Sequence, residues 1–118
     1  MYIKGVGELT SGDGYWECSP PALEGSLLSI ESTEISEDHL QWARYICSNW
    51  TEILAESKAY IELRRGDYQL EATQFKNPNV FLSSGEVWSV YFDTESELEA
   101  IVGVEFRGRS PFQLVVGD

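Results

Sequence analysis

The only histidine in the chain, His39, directly follows Asp38, and a carboxylate beside an imidazole is the simplest arrangement for general-base chemistry. Such a base needs a nucleophile or a substrate group to deprotonate, and the sequence points to neither. His39 falls in the first turn of a predicted helix, so it is read as a solvated or locally hydrogen-bonded side chain. Cys18 and Cys47 stand far apart, outside any C-x-x-C spacing, and are read as free thiols rather than a bridge. Cys47 lies on an apolar helical stripe, where a thiol behaves as a small hydrophobe. Cys18, next to Ser19-Pro20, is expected to be the more exposed of the two, and no basic neighbour activates it. There is no G-x-S-x-G elbow, and Gly5-Val6-Gly7 lacks the rest of either nucleotide-binding motif. Asn49-Trp50-Thr51 matches a glycosylation acceptor but sits inside the predicted helix, so it carries no weight.

Carboxylates are the abundant functional group. Asp93, Glu95, Glu97 and Glu99 alternate along one segment, and Glu31, Glu34, Glu37 and Asp38 form a second concentration. A glycosidase or a two-metal nuclease needs two or more such groups converging in a cleft. Calcium needs a comparable density of oxygens, but the 93–99 run lacks the central glycine and the Asp/Asn positions of an EF-hand loop. No catalytic residue, cofactor or metal site is therefore expected. Both clusters are read as solvated segments and as candidate partner-binding surface, with Trp42 as a candidate exposed anchor among them. Trp16, by a turn-rich segment, is a second such anchor, whereas Trp50 and Trp88 fall at core positions.

Composition narrows the partners. Twenty acidic residues against eight basic ones give a formal net charge of -12 at pH 7. A field of that sign repels phosphate backbones and anionic lipid and accelerates encounters with basic surfaces. The basic residues are scattered, with Arg64-Arg65 and Arg107-Gly108-Arg109 as local doublets, so direct nucleic-acid binding is not expected. Hydrophobic residues make up 42% of the chain and aromatic residues 13%, enough for a core, so the acidity does not signal disorder. At 118 residues the chain fits a single domain. No apolar stretch approaches the roughly 18 residues of a spanning helix. The opening Met1-Tyr2-Ile3-Lys4-Gly5 lacks the pattern of a secretory signal, and a cytoplasmic location is expected.

The elements that must position these residues follow from periodicity. Leu40, Ala43, Cys47, Trp50 and Leu54 recur at spacings of three and four, and Ile46 and Ile53 widen the stripe. Ser36 is placed to cap this helix, with Glu37 and Asp38 at its positive end and Ile35 and Leu40 at staple positions. The helix is expected to run from Glu37 to about Ala59 and onward toward Arg64, with Gly66 as a glycine beyond its end. Tyr2 to Leu9, Tyr15 to Cys18 and Leu27 to Ile30 read as strands, and Asn77-Pro78-Asn79 reads as a turn. Val87 to Phe92, Ile101 to Phe106 and Phe112 to Val116 read as a meander of antiparallel strands, the last of them an edge open to pairing with another copy. The expected fold is α+β: an antiparallel sheet with one long central helix on one face, its other face partly covered by the N-terminal strands.

Val87-Trp88-Ser89-Val90-Tyr91-Phe92-Asp93, continued through Val102-Gly103-Val104-Glu105-Phe106 to Val115-Val116-Gly117-Asp118, resembles the small bacterial immunity proteins of contact-dependent and polymorphic toxin systems. The resemblance implies a non-catalytic protein that binds and neutralises its cognate toxin, a basic domain and often a nuclease. Carboxylates would then stand in for the phosphates that the nuclease binds. It carries no contact residue over to numbered positions. If the 93–99 loop faces the toxin, reversing Glu95, Glu97 and Glu99 to lysine slows association at low salt. An acidic regulatory or structural adaptor shares nearly all of these features, and a small hydrolase using an acidic pair is the third reading.

Overall fold

The computed structural model describes residues 1–83 and 86–117. Asp118, the last residue of the stretch carrying the resemblance, lies outside them. In chain order the elements are β1 (Tyr2–Ile3), β2 (Gly7–Glu8), β3 (Thr10–Ser11), β4 (Trp16–Cys18), a 3₁₀ turn (Pro21–Leu23), β5 (Leu28–Ile30), α1 (Glu37–Ser48), α2 (Trp50–Tyr68), β6 (Phe75–Leu82), β7 (Val87–Thr94), β8 (Ile101–Arg107) and β9 (Ser110–Gly117). Strands β3 to β9 form one seven-stranded sheet in sequential order, and β1 and β2 make a separate two-stranded ribbon. The α+β class holds, with a multi-stranded sheet packed against helices.

The helix begins where the local signals place it. Ser36 Oγ accepts from the His39 amide at 3.2 Å, and the Ser36 amide donates to His39 Nδ1 at 3.0 Å, a reciprocal cap built with histidine in the place of the usual glutamate. The ring proton therefore sits on Nε2, which donates to the Ser83 carbonyl at 3.0 Å. His39 is a buried tie between the start of α1 and the end of β6.

Two helices replace the expected single one. At Asn49 the backbone leaves helical geometry (φ -127°, ψ 24°), and its side-chain Nδ2 donates back to the Tyr45 carbonyl at 2.9 Å. Asparagine side chains compete for backbone groups in this way, and here the competition ends one helix while the Asn49 carbonyl opens the next by accepting from Ile53. The apolar stripe survives the break because both helices lie on the same sheet face, burying Ala43, Ile46 and Cys47 from α1 and Trp50, Ile53 and Ile61 from α2. Gly66 lies within α2; the left-handed residue closing it is Gln69 (φ 53°), whose amide bonds to the Arg65 and Gly66 carbonyls. Arg65 then secures the exit, donating to the Leu70 and Ala72 carbonyls at 3.1 and 3.0 Å.

The sheet is not wholly antiparallel. β5 and β6 run parallel, pairing Leu28 with Val80 and Ile30 with Leu82, and a parallel pair requires a long crossover. That crossover is α1 and α2, which is why both helices cover one face. β6 itself contains Asn77-Pro78-Asn79, read above as a turn. Asn77 adopts φ 53° and the register slips between Lys76 and Asn79, a bulge that accommodates a proline with no amide to donate. From β6 to β9 neighbouring strands pair antiparallel; β7, β8 and β9 are the expected meander, and β6 adds a strand to it that the sequence reading did not include.

Strand alternation sends Val80, Leu82, Trp88, Val90, Phe92, Val102, Val104, Phe106 and Leu114 toward the helices, where all are buried. The N-terminal segments extend this same sheet through β3, β4 and β5 instead of forming a layer across its other face. The side of the meander away from the helices is therefore open. The edge strand β9 is partly guarded: the outward amide of Leu114 donates to the Tyr68 hydroxyl at 3.3 Å, which occupies one ladder position that a second chain would need.

Candidate functional site

The period of two along the strands places Asn79, Phe81 and Ser83 of the β6 strand and its exit, Ser89, Tyr91 and Asp93 of β7, and Ile101, Gly103 and Glu105 of β8 on the open face. Glu31 extends β5, its amide donating to the Leu82 carbonyl at 2.9 Å. All of these except Gly103 line a depression of about 510 Å³. Its floor is aromatic. Phe81 and Tyr91 meet edge to face, with centroids 5.4 Å apart and ring planes at 89°.

Gly103 explains how Tyr91 lies. A Cβ at Gly103 would come within 2.5 Å of Tyr91 Cε1 and 2.7 Å of Cδ1, so the tyrosine ring rests over the glycine of the neighbouring strand. The two residues are direct cross-strand partners, and glycine is what allows the ring to lie close to the sheet.

Three carboxylates surround this floor, Glu31, Asp93 and Glu105, and among the described residues no basic side chain lines the depression. Gln113 Nε2 donates to Glu105, and Asn77 Nδ2 donates to Asp93 at 3.1 Å. None of the three is in an ion pair among the described residues. Burial raises the pKa of the Tyr91 phenol, and the charges of Glu105 and Glu31 push it the same way against a hydrogen bond to Ser89. The phenol thus stands mainly under the influence of its burial, with the two carboxylates as lesser contributions. Among the described residues no group of three or more His, Cys, Asp or Glu side chains is arranged to hold a metal ion.

No family model, curated protein or solved structure matches this chain.

The candidate residues named from sequence separate into distinct groups. Glu31 and Asp93 come together in the depression, although they were drawn from different acidic clusters. Glu34, Glu37 and Asp38 are exposed between β5 and the first turn of α1, where the two α1 residues favour the helix dipole. Trp42 is half-buried on α1, packed edge to face on Tyr45 at 5.5 Å, so it is not the free anchor the sequence implied. Trp16 is likewise half-buried, its Nε1 donating to the Thr33 carbonyl at 3.1 Å.

The 93–99 run divides its labour. Glu99 accepts the Ala72 and Glu71 amides at 2.8 and 3.0 Å, and Glu95 accepts the Thr73 amide at 2.8 Å and the Gln74 amide at 3.3 Å. These two carboxylates bind the β7–β8 loop to the segment joining α2 to β6, satisfying backbone donors that no strand pairs. Glu97 remains exposed beside Leu98. Reversing all three to lysine therefore probes folding together with association.

The same bonds give the loop a pH dependence. The Thr73 amide, followed by that of Gln74, lowers the Glu95 pKa below the ordinary carboxylate range. With the lower value in the folded state, the unfolded chain takes up the proton first as pH falls. The contribution is complete above the unfolded value of about 4.3 and is lost as pH drops through the folded one. Glu95→Gln is expected to lower the melting temperature at pH 7 and to approach the parent protein in strong acid, which thermal denaturation across pH 2–7 measures.

Cys18 is buried, as is Cys47, and both are free thiols within the same core cluster. Burial is the main force pushing each pKa up to about 11, with the neighbouring Cys47 and Glu17 adding to it for Cys18. The expectation of an exposed Cys18 fails because β4 is an inner strand that directs this residue to the helix side, opposite Leu28. Thiol reagent at pH 8 is expected to leave both cysteines unmodified in the native protein and to titrate both in denaturant, as followed by absorbance.

Sequence reasoning missed Phe81, Tyr91, Gly103 and Glu105 as site residues. The alternation of Ser89 and Tyr91 against Trp88, Val90 and Phe92 was legible. Which side stays uncovered was not, because that depends on where the N-terminal strands pair.

Proposed function

We propose that the protein is a non-catalytic immunity protein that binds and neutralises a cognate basic toxin domain, a nuclease, in the cytoplasm. The observation that carries this reading is the open sheet face, where Glu31, Asp93 and Glu105 surround Phe81 and Tyr91 and, among the described residues, no basic side chain joins them. A nuclease cleft is lined with cations that hold phosphate, and three carboxylates on a preformed surface offer those cations an alternative partner. The net charge of -12 adds long-range steering, which raises the rate of encounter. The aromatic floor supplies the apolar contact that turns an encounter into a long-lived complex. Two thiols kept in the core as free cysteines accord with a reducing compartment.

Co-expression with the product of the adjacent gene tests this directly. The expected result is that the neighbour alone arrests growth, that this protein restores it, and that the two co-purify. A neighbour that is harmless alone, or a toxic one that this protein neither binds nor counteracts, overturns the reading. Co-purification with a harmless neighbour is the result an adaptor would give.

A further inference from the structure

We infer that the depression on the open sheet face is a receptor for one arginine side chain presented by the basic partner, with its guanidinium over Tyr91 and its nitrogens directed at Glu31 and Glu105. The inference rests on the open face being the partner-binding surface and adds the chemical group that it recognises. Its aromatic floor, its carboxylates and its size select it. Tyr91, lying over Gly103, offers a flat ring, and Phe81 stands against it at 89° as a wall. A planar, weakly hydrated guanidinium stacks on such a ring, whereas an ammonium approaches as a hydrated point charge.

The carboxylates are disposed around the floor on three strand lines: Glu31 beyond β5, Asp93 on β7 and Glu105 on β8. A guanidinium carries five N–H donors in a fork that can serve two carboxylates at once, and an ammonium lacks that fork. Gln113 already donates to Glu105 and Asn77 to Asp93, which holds those two carboxylates in place before any ligand arrives. Charge complementarity also names the occupant's sign, since among the described residues acids line the depression and bases do not. The space of about 510 Å³ is ample for one guanidinium with its aliphatic stem.

The test titrates the ¹⁵N-labelled full chain with the peptide acetyl-Gly-Arg-Gly-amide, following amide shifts by NMR. Saturable shifts are expected at Ser89, Tyr91, Gly103 and Glu105, with a dissociation constant on the order of millimolar. The same peptide with citrulline, which keeps the shape and loses the charge, is expected to bind at least about tenfold more weakly, and the lysine peptide a few-fold more weakly. Glu31→Gln and Glu105→Gln are each expected to weaken the arginine peptide about fivefold. Gly103→Ala, which lifts the Tyr91 ring, is expected to abolish its binding. Tyr91→Leu keeps an apolar floor without a π face and is the second variant should Gly103→Ala disturb the fold. Shifts that do not saturate, equal binding of citrulline, or lysine or spermidine binding as tightly as arginine overturns the inference. So does a well-folded Tyr91→Leu that binds as the parent does. No toxin enters this experiment, so a failed titration leaves neutralisation to be judged by growth rescue, and failed rescue leaves the arginine receptor standing.

Discussion

Replacing Glu31, Asp93 and Glu105 together by lysine is expected to slow capture of the basic partner by about 100-fold at low salt, within the span that electrostatic steering commands. Each exchange changes the charge by two, so the triple variant moves from -12 to -6. A control with the same total, Asp13→Lys with Glu52→Lys and Glu56→Lys, separates the local field from the overall charge. Those three residues are exposed and lie outside the depression. The control is expected to slow association only a few-fold, because a steering field acts most strongly where the partner docks. Stopped-flow mixing with the partner recovered by co-purification measures both rates. Raising the ionic strength from 0.1 to 1 M shortens the screening length from about 10 to about 3 Å and should bring the parent and triple-variant rates together. Dissociation should also accelerate in the triple variant, since Glu31 and Glu105 are the two carboxylates at which the proposed docked cation is directed, beyond any steering. Equal slowing in the triple variant and the control would move the interface off this face.

The chain discloses its local decisions and withholds its distant ones. The start of α1 was legible because Ser36, Glu37 and Asp38 act within one turn of each other, and that cap is present. The β7–β8–β9 meander was legible because alternation fixes strand faces without knowledge of neighbours. Asn49 was not legible as a break: the residue is tolerated in helices, and its bond to the Tyr45 carbonyl forms only once the chain turns. β6 was hidden by Pro78, which signals a turn unless a bulge removes the need for its missing donor.

The candidate site was half legible for the same reason. Glu31 and Asp93 stood out by the acidity of their surroundings. Their meeting depends on the parallel β5–β6 pairing, which joins segments on either side of both helices. Glu95 and Glu99 stood out equally, but their partners lie 21 to 28 residues earlier in the chain, so the tally of charges could not distinguish a structural carboxylate from a free one. Glu105 and Gly103 lay inside a strand otherwise built for the core. Their role appears only when the sheet is seen to leave one face uncovered. The acidic surplus thus serves both internal ties and an outward surface.

Trp88→Ala is expected to be among the costliest truncations to alanine in this chain, at about 4–5 kcal/mol. Trp88 is completely buried and stacks on Phe106 with centroids 4.1 Å apart and planes 6° from parallel. Its ring also meets Tyr45 of α1 edge to face at 6.4 Å, so one side chain joins β7, β8 and the helical layer. Its Nε1 donates to the Gly108 carbonyl at 2.8 Å, holding the hairpin between β8 and β9. Truncation leaves a large void that the rigid sheet around it cannot fill, and it removes the donor that ties the Gly108 carbonyl to β7. Domains of this size are stable by only about 5–15 kcal/mol, so the melting temperature should fall by roughly 15–25 °C. Trp88→Phe retains the stacking and gives up the hydrogen bond and part of the volume; about 2 kcal/mol is expected. Denaturant titrations of the two variants measure the difference. Because Trp88 faces the helices while Ser89 and Tyr91 face the open side, Trp88→Phe should weaken the fold while leaving arginine-peptide binding unchanged under conditions where the protein stays folded. Glu31→Gln should do the reverse, since Glu31 lies on the open side and outside the buried core. That pairing separates the two faces of one strand: loss of peptide binding in a folded Trp88→Phe variant would show the faces to be coupled.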